Sequence, residues 1–182
     1  MTVLPGDPAA VMLGTTARPD TLAALRTELG LDDPAILRYV RWLANLCRGD
    51  LGRSITYGVP VGPLIAERLA VTAPLALLSV SLSVSLALPL GVLAAARQGR
   101  WPDRVVTVIA QLATTLPNFW IGLLLVLFFA VGGGWLPSGG FPGWAGGVLP
   151  AFSALFLPAI ALALPQAGIL TRVTRASILD VM

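Results

Sequence analysis

The chain has 182 residues, of which 56% are hydrophobic and only 12% charged, with a net charge of +3 and a mean hydropathy of +0.83. So small a charged share lies far below the roughly 25% of an ordinary soluble domain and places the chain among membrane proteins. It contains no His, no Lys and a single Cys47, which excludes an imidazole base, a complete Walker phosphate loop, a Schiff-base or Ser-Lys mechanism, an intrachain disulfide and a Cys/His metal cluster.

These absences imply that the chain is not an enzyme, holds no cofactor or metal, and does not itself hydrolyse ATP. Seven of the twelve arginines and seven of the nine acidic residues lie before residue 69, while 105–171 carries no charge. The arginines flank apolar stretches instead of clustering, so they read as membrane-orientation signals and not as a nucleic-acid surface.

In chain order, residues 1–69 form a polar segment with two predicted helices. The first covers about 20–29 and is closed by Gly30; the second starts at Asp33, with Pro34 in its first position, and stops before Gly49. In the second, Ile36, Leu37, Val40, Leu43, Ala44 and Cys47 share one face, and Arg38, Arg41, Asn45 and Arg48 the other. That amphipathic pattern predicts a surface helix resting on the rest of the protein or on lipid headgroups, with partner binding as the alternative. Cys47, on the apolar face, reads as a small buried hydrophobe and not as a reactive thiol. GDLGRS, 49–54, reads as a tight turn, and PVGPLIAERLAVT leads on with Glu67 and Arg68 at the interface.

Between Arg68 and Arg97 lie twenty-eight uncharged residues, more than the about 20 that a helix needs to cross a bilayer. Span A is set at about 70–96. Ser79 and Ser83 fall on one helical face, and Ser81 and Ser85 on another; small residues four apart read first as close packing and second as hydroxyls along a polar path. Span B, about 105–131, contains TTLPNFW. Pro117 predicts a kink, Thr114 and Thr115 can satisfy the freed carbonyls, and Gln111 and Asn118 should avoid lipid. Span C, about 148–171, has Pro150, Pro158 and Pro165 near one face, which predicts cumulative bending.

Orientation follows from the connections. Arg97, Arg100 and Arg104 fill the A–B loop, and Arg172 and Arg175 follow span C, whereas 132–147 has no charge and carries Trp135, Phe141 and Trp144. The positive-inside rule places the Arg-rich ends in the cytoplasm and the Gly/Trp loop outside. Residues 1–69 then lie outside too. No signal peptide follows Met1, so a further span is expected before Val3.

Seven segments in order resemble the inner-membrane permease subunits of binding-protein-dependent ABC importers for dipeptides, oligopeptides and nickel. They are LPGDPAA, LGLDDPAILRYVRWLANLCRGDLGRS, PVGPLIAERLAVT, PLGVLAAARQGRWPDR, LPNFWIGLLLVLFFA, GWLPSGG and LPAIALALPQAGILTRVTRASILDVM. The resemblance implies an all-α membrane protein, a kinked transmembrane bundle of the type I ABC importer kind, here incomplete at both ends. On that reading 1–69 is an external segment and 70–182 a partial permease domain whose final helix heads for a docking loop on the ATPase.

The implied function is ATP-driven import of peptides or a related small solute across the cytoplasmic membrane. The implied partners are a homologous second permease, two ATP-binding subunits, an extracytoplasmic substrate-binding protein and the lipid bilayer, with no nucleic acid. Candidate path residues are Gln111, Thr114, Thr115 and Asn118 of span B and Gln166 of span C. The alternatives are a fragment of an ion-coupled carrier or channel, and a truncated permease that transports nothing. Ion coupling has little to rest on, because no ionisable residue lies within the spans.

Overall fold

The computed structural model describes residues 8–14, 18–28, 30–54 and 56–181. Most of the opening LPGDP segment, any span before Val3, Leu29 and Met182 lie outside the described residues. Among those described, regular structure is helical throughout apart from one isolated bridge between Arg53 and Pro60. The chain divides into two compact units, Met1–Ala70 and Val71–Met182.

The first unit holds α1 (Pro8–Leu13), α2 (Pro19–Glu28) and α3 (Ala35–Cys47). Gly30 ends α2 as the sequence predicts. Its φ of +63° is a left-handed value that glycine adopts without strain, and the Gly30 N–H donates to Thr27 while the Leu31 N–H donates to Arg26, the paired closure of a Schellman turn. Pro34 caps α3 from the extended region, at φ −53° and ψ 139°, so the helix starts two residues later than expected from Asp33. The 49–54 turn continues into a short hairpin in which the Ser54 N–H donates to the Val59 carbonyl at 2.8 Å.

The second unit is built from α4 (Val61–Ala96, which begins in the first unit), α5 (Trp101–Thr115), α6 (Asn118–Leu125), a π-helical extension Val126–Gly132, and α7 (Val148–Leu179). α4 begins nine residues ahead of the expected span A, because the lead-in around Pro63 forms its first turns, where proline removes no intrahelical bond. Its internal Pro74 and Pro89 leave it continuous.

Span B is broken and not merely kinked. Leu116 and Pro117 are both extended, with ψ near 136° and 135°, and the two helical pieces meet at a bend of 102°. The cause is local: proline drives the residue before it out of the helical region and offers no N–H to the preceding turn. α7 runs unbroken through Pro158 and Pro165, and Pro150 sits in its first turn, so Pro150 cannot contribute to the cumulative bend. The helix also continues past Thr171 through Arg172 and Arg175.

Burial is inverted relative to a soluble bundle. The buried residues of α4 are Ser79, Ser83, Ala87, Gly91, Ala94 and Ala95, while Leu77 and Val80 on the same helix are more than half exposed. Small residues let helix backbones approach, and large apolar ones are left for lipid. The approaches are close. A Cβ on Gly91 would lie 2.7 Å from the Thr174 Cβ, and one on Gly168 would lie 2.6 Å from the Ala110 carbonyl oxygen, so α7 is seated directly against α4 and α5. Gly122 faces Ala161 less closely, with 3.6 Å from an added Cβ to the Ala161 Cβ, placing α6 on α7. By length and composition α4 and α7 can each cross a membrane, and the bent α5–α6 pair is either one broken span or a re-entrant loop.

Candidate functional site

Polar groups are scarce in the second unit, and its folding gathers several of them into two places. The first is a cavity of about 510 Å³ lined by Ser79 and Ser83 of α4, Asn118 of α6 and Gln166 of α7, with Leu162 and Val80 among its apolar walls. Residues four apart share a helical face, which brings Ser79 and Ser83 inward above Ala87 and Gly91. Asn118 stands at the first position of α6 because the Leu116–Pro117 break ends α5 just before it. The walls supply two hydroxyls and two carboxamides and no ionisable group. Such a lining can donate and accept hydrogen bonds, but it offers no counter-charge to an ion.

The second place joins the ends of α5 and α7. Arg175 donates to Asp103 through Nε at 2.6 Å and through a terminal nitrogen at 2.8 Å, a bidentate charge-assisted pair. The Asp103 side chain is only 6% exposed. Its carboxylate also accepts from the Gly99 N–H at 2.9 Å and from the Thr107 hydroxyl at 3.5 Å. One turn earlier on α7, Arg172 donates to the Gln111 side-chain oxygen at 2.9 Å. Polar ties therefore hold α5 to α7 at two successive turns.

The five candidate path residues are thus divided. Asn118 and Gln166 line the cavity together. Gln111 is engaged by Arg172, while the Thr114 and Thr115 hydroxyls both donate to the Gln111 carbonyl at 2.9 Å, as expected where a helix ends at a proline. Thr114 also borders Gly168. Of the five arginines read as topology signals, Arg172 and Arg175 bind partners on α5, and Arg97, Arg100 and Arg104 are exposed on and beside the α4–α5 connection. Sequence reasoning read Ser79 and Ser83 first as packing and second as hydroxyls along a polar path, and they are both buried and at the cavity wall; it did not single out Asp103, whose partner is 72 residues away. The serine spacing was the available signal; nothing local marked the Asp103 pairing.

Residues 87–182 match the family described as binding-protein-dependent transport system inner membrane component, and residues 1–76 match the N-terminal family of the same systems. A putative peptide transport system permease protein of Brucella abortus is 43% identical over 182 residues, covering all of this chain and 58% of its own length. The oligopeptide transport system permease protein of Bacillus subtilis is 36% identical, over 100% of this chain and 58% of its own. A glutathione transport system permease protein of Salmonella paratyphi A is 34% identical, over 99% and 56%. The chain therefore spans somewhat more than half the length of these relatives.

Proposed function

Since this chain belongs to the binding-protein-dependent transport system inner membrane component family, we propose that it forms the greater part of a permease subunit importing peptides or a related small solute through the cytoplasmic membrane. The observation that carries this reading is similarity along the full chain to permeases named for peptide, oligopeptide and glutathione transport. The uncharged hydrogen-bonding cavity agrees with it, since peptide amides offer one donor and one acceptor each and need no counter-ion.

In this proposal the working assembly contains a second permease, two subunits that hydrolyse ATP, and a substrate-binding protein on the far side of the membrane. The Arg97, Arg100 and Arg104 connection and the Arg172 and Arg175 end of α7 face the cytoplasm, and the charge-free 132–147 loop and residues 1–69 lie outside. Asn118 and Gln166, joined by Ser79 and Ser83, border the path; Gln111, Thr114 and Thr115 support it by fixing the end of α5.

The test is uptake of a labelled oligopeptide by cells whose own peptide permeases are deleted, supplied with this subunit and its partner components. Asn118→Leu should lower uptake roughly tenfold at unchanged membrane abundance, the loss of about one well-placed hydrogen bond worth 1–1.5 kcal/mol. Unchanged uptake would remove Asn118 from the path, and no uptake by the parent would remove peptides from the proposal.

A further inference from the structure

The transport reading makes no use of α3, whose apolar side chains stand exposed. None of its residues is buried. Ile36 is 80% exposed, and Leu37, Val40 and Leu43 are each more than 40% exposed. The half-buried positions are Arg38, Asn45 and Leu46, so two of the three come from the polar face. The Arg38 guanidinium donates to the Leu31 carbonyl at 3.2 Å, and Arg41 pairs with Asp33 at 2.7 Å. The polar side is tied back to its own segment, and the apolar side is turned away from it.

We propose that α3 is an interfacial helix, its Ile36/Val40/Leu43/Cys47 face set into a phospholipid bilayer at the boundary between headgroups and acyl chains. Three observations favour lipid over a protein groove. At 100° per residue the apolar arc, from Tyr39 and Leu46 round to Leu37, covers about half the circumference, which suits a plane better than the narrower stripe that a groove receives.

The margins of that arc also have interfacial chemistry. Tyr39 and Trp42 lie together along one margin with ring centroids 6.0 Å apart, and such amphipathic rings favour the headgroup level. Arg48 lies along the other margin beside the Asp33-paired Arg41, and a guanidinium fork there matches a lipid phosphate. Finally, a bilayer is within reach of every copy of the chain, because α4 and α7 are long and apolar enough to cross one. With Asp32, Asp33 and Asp50 flanking three arginines, the local charge is balanced. Apolar insertion and phosphate contacts, common to zwitterionic and anionic lipids, carry the association.

Cys47, the single cysteine, is exposed and not buried as the sequence suggests, because the apolar face it belongs to is turned away from its own segment, and it reports directly. The full chain is placed in nanodiscs of phosphatidylcholine with phosphatidylglycerol, and Cys47 is challenged with a charged, water-soluble maleimide. Reaction should be about tenfold slower than in a Val40→Asp/Leu43→Asp variant. A fluorophore on Cys47 should be quenched more by lipid spin-labelled near the headgroup than by lipid labelled at the chain end. Equal rates without quenching mean that the face stands in water, and slow reaction without lipid quenching means that protein covers it; either result overturns the proposal. Transport is not read in this experiment, so its failure and that of the permease reading remain separate.

Discussion

Asp103 shows what a single side chain can hold in a chain with so few charges. Its carboxylate receives two bonds from Arg175, one from the Gly99 backbone and a longer one from Thr107. Removing one member of a buried pair leaves the other unsatisfied and is costly, whereas replacing both with apolar residues is often near neutral. Asp103→Asn should therefore destabilise the α5–α7 end by about 1–3 kcal/mol, seen as a lower thermal unfolding midpoint in detergent. Asp103→Leu/Arg175→Leu should recover part of that loss. A double variant as unstable as the sum of the singles would mean that the two residues act independently. At this scale the sequence was partly legible. Asn118 is expected to avoid lipid because amides are expensive there, with Gln166 facing it from span C, and the two share the cavity. Gln111 was expected there on the same argument, but Arg172, 61 residues on, satisfies it instead. A rule about cost identifies which groups need partners, but it does not choose the partner.

Among the elements, the α5–α6 break has the clearest cause and an effect that can be measured. Proline was legible at 117, and a kink was the expectation; the extended Leu116 turned it into a bend of 102°. Proline 158 and proline 165 lie in α7 without interrupting it, so the residue type alone does not decide the outcome. At 117 the next residues, Asn118 to Leu125, form a second short helix packed on α7, with Gly122 against Ala161, so packing of α6 accompanies the local effect of the proline there. Pro117→Ala restores a backbone donor and should straighten the pair in part. With spin labels at Ile109 and Leu125 in a Cys47→Ser background, the parent should show a separation well below the about 24 Å of a continuous helix. The Pro117→Ala chain should shift toward that length. An unchanged distance would assign the bend wholly to the packing of α6 on α7.

For the whole molecule, the distribution of charge bears on where the energy of the proposed transport would enter. From 105 to 171 there is no ionisable side chain, and the cavity walls contain none. A carrier driven by protons or sodium needs a group whose charge changes or is neutralised within its spans. Uptake by the assembled system should thus persist when the proton gradient is collapsed at high ATP and cease when ATP is depleted at an intact gradient. The opposite pattern would return the ion-coupled alternative to first place. The all-helical membrane architecture was legible from hydropathy, proline and glycine placement, and the order of motifs. The depth of helix contact was not, since Gly91 under Thr174 and Gly168 under Ala110 are set by residues on other helices.

The unbroken course of α7 has one more consequence. Gln166 at the cavity and Leu179 at the far end belong to the same helix, about 20 Å apart along its axis. Such a rod works as a lever. A tilt of about 10° pivoting at Gln166 would sweep its end by about 3 Å along that length, and a push on the end would turn the carboxamide in place against the cavity wall. The ties of Arg172 and Arg175 to α5 lie between pivot and tip, so α5 would travel with the lever instead of sliding past it, and a small stroke at one end would move two walls of the unit together.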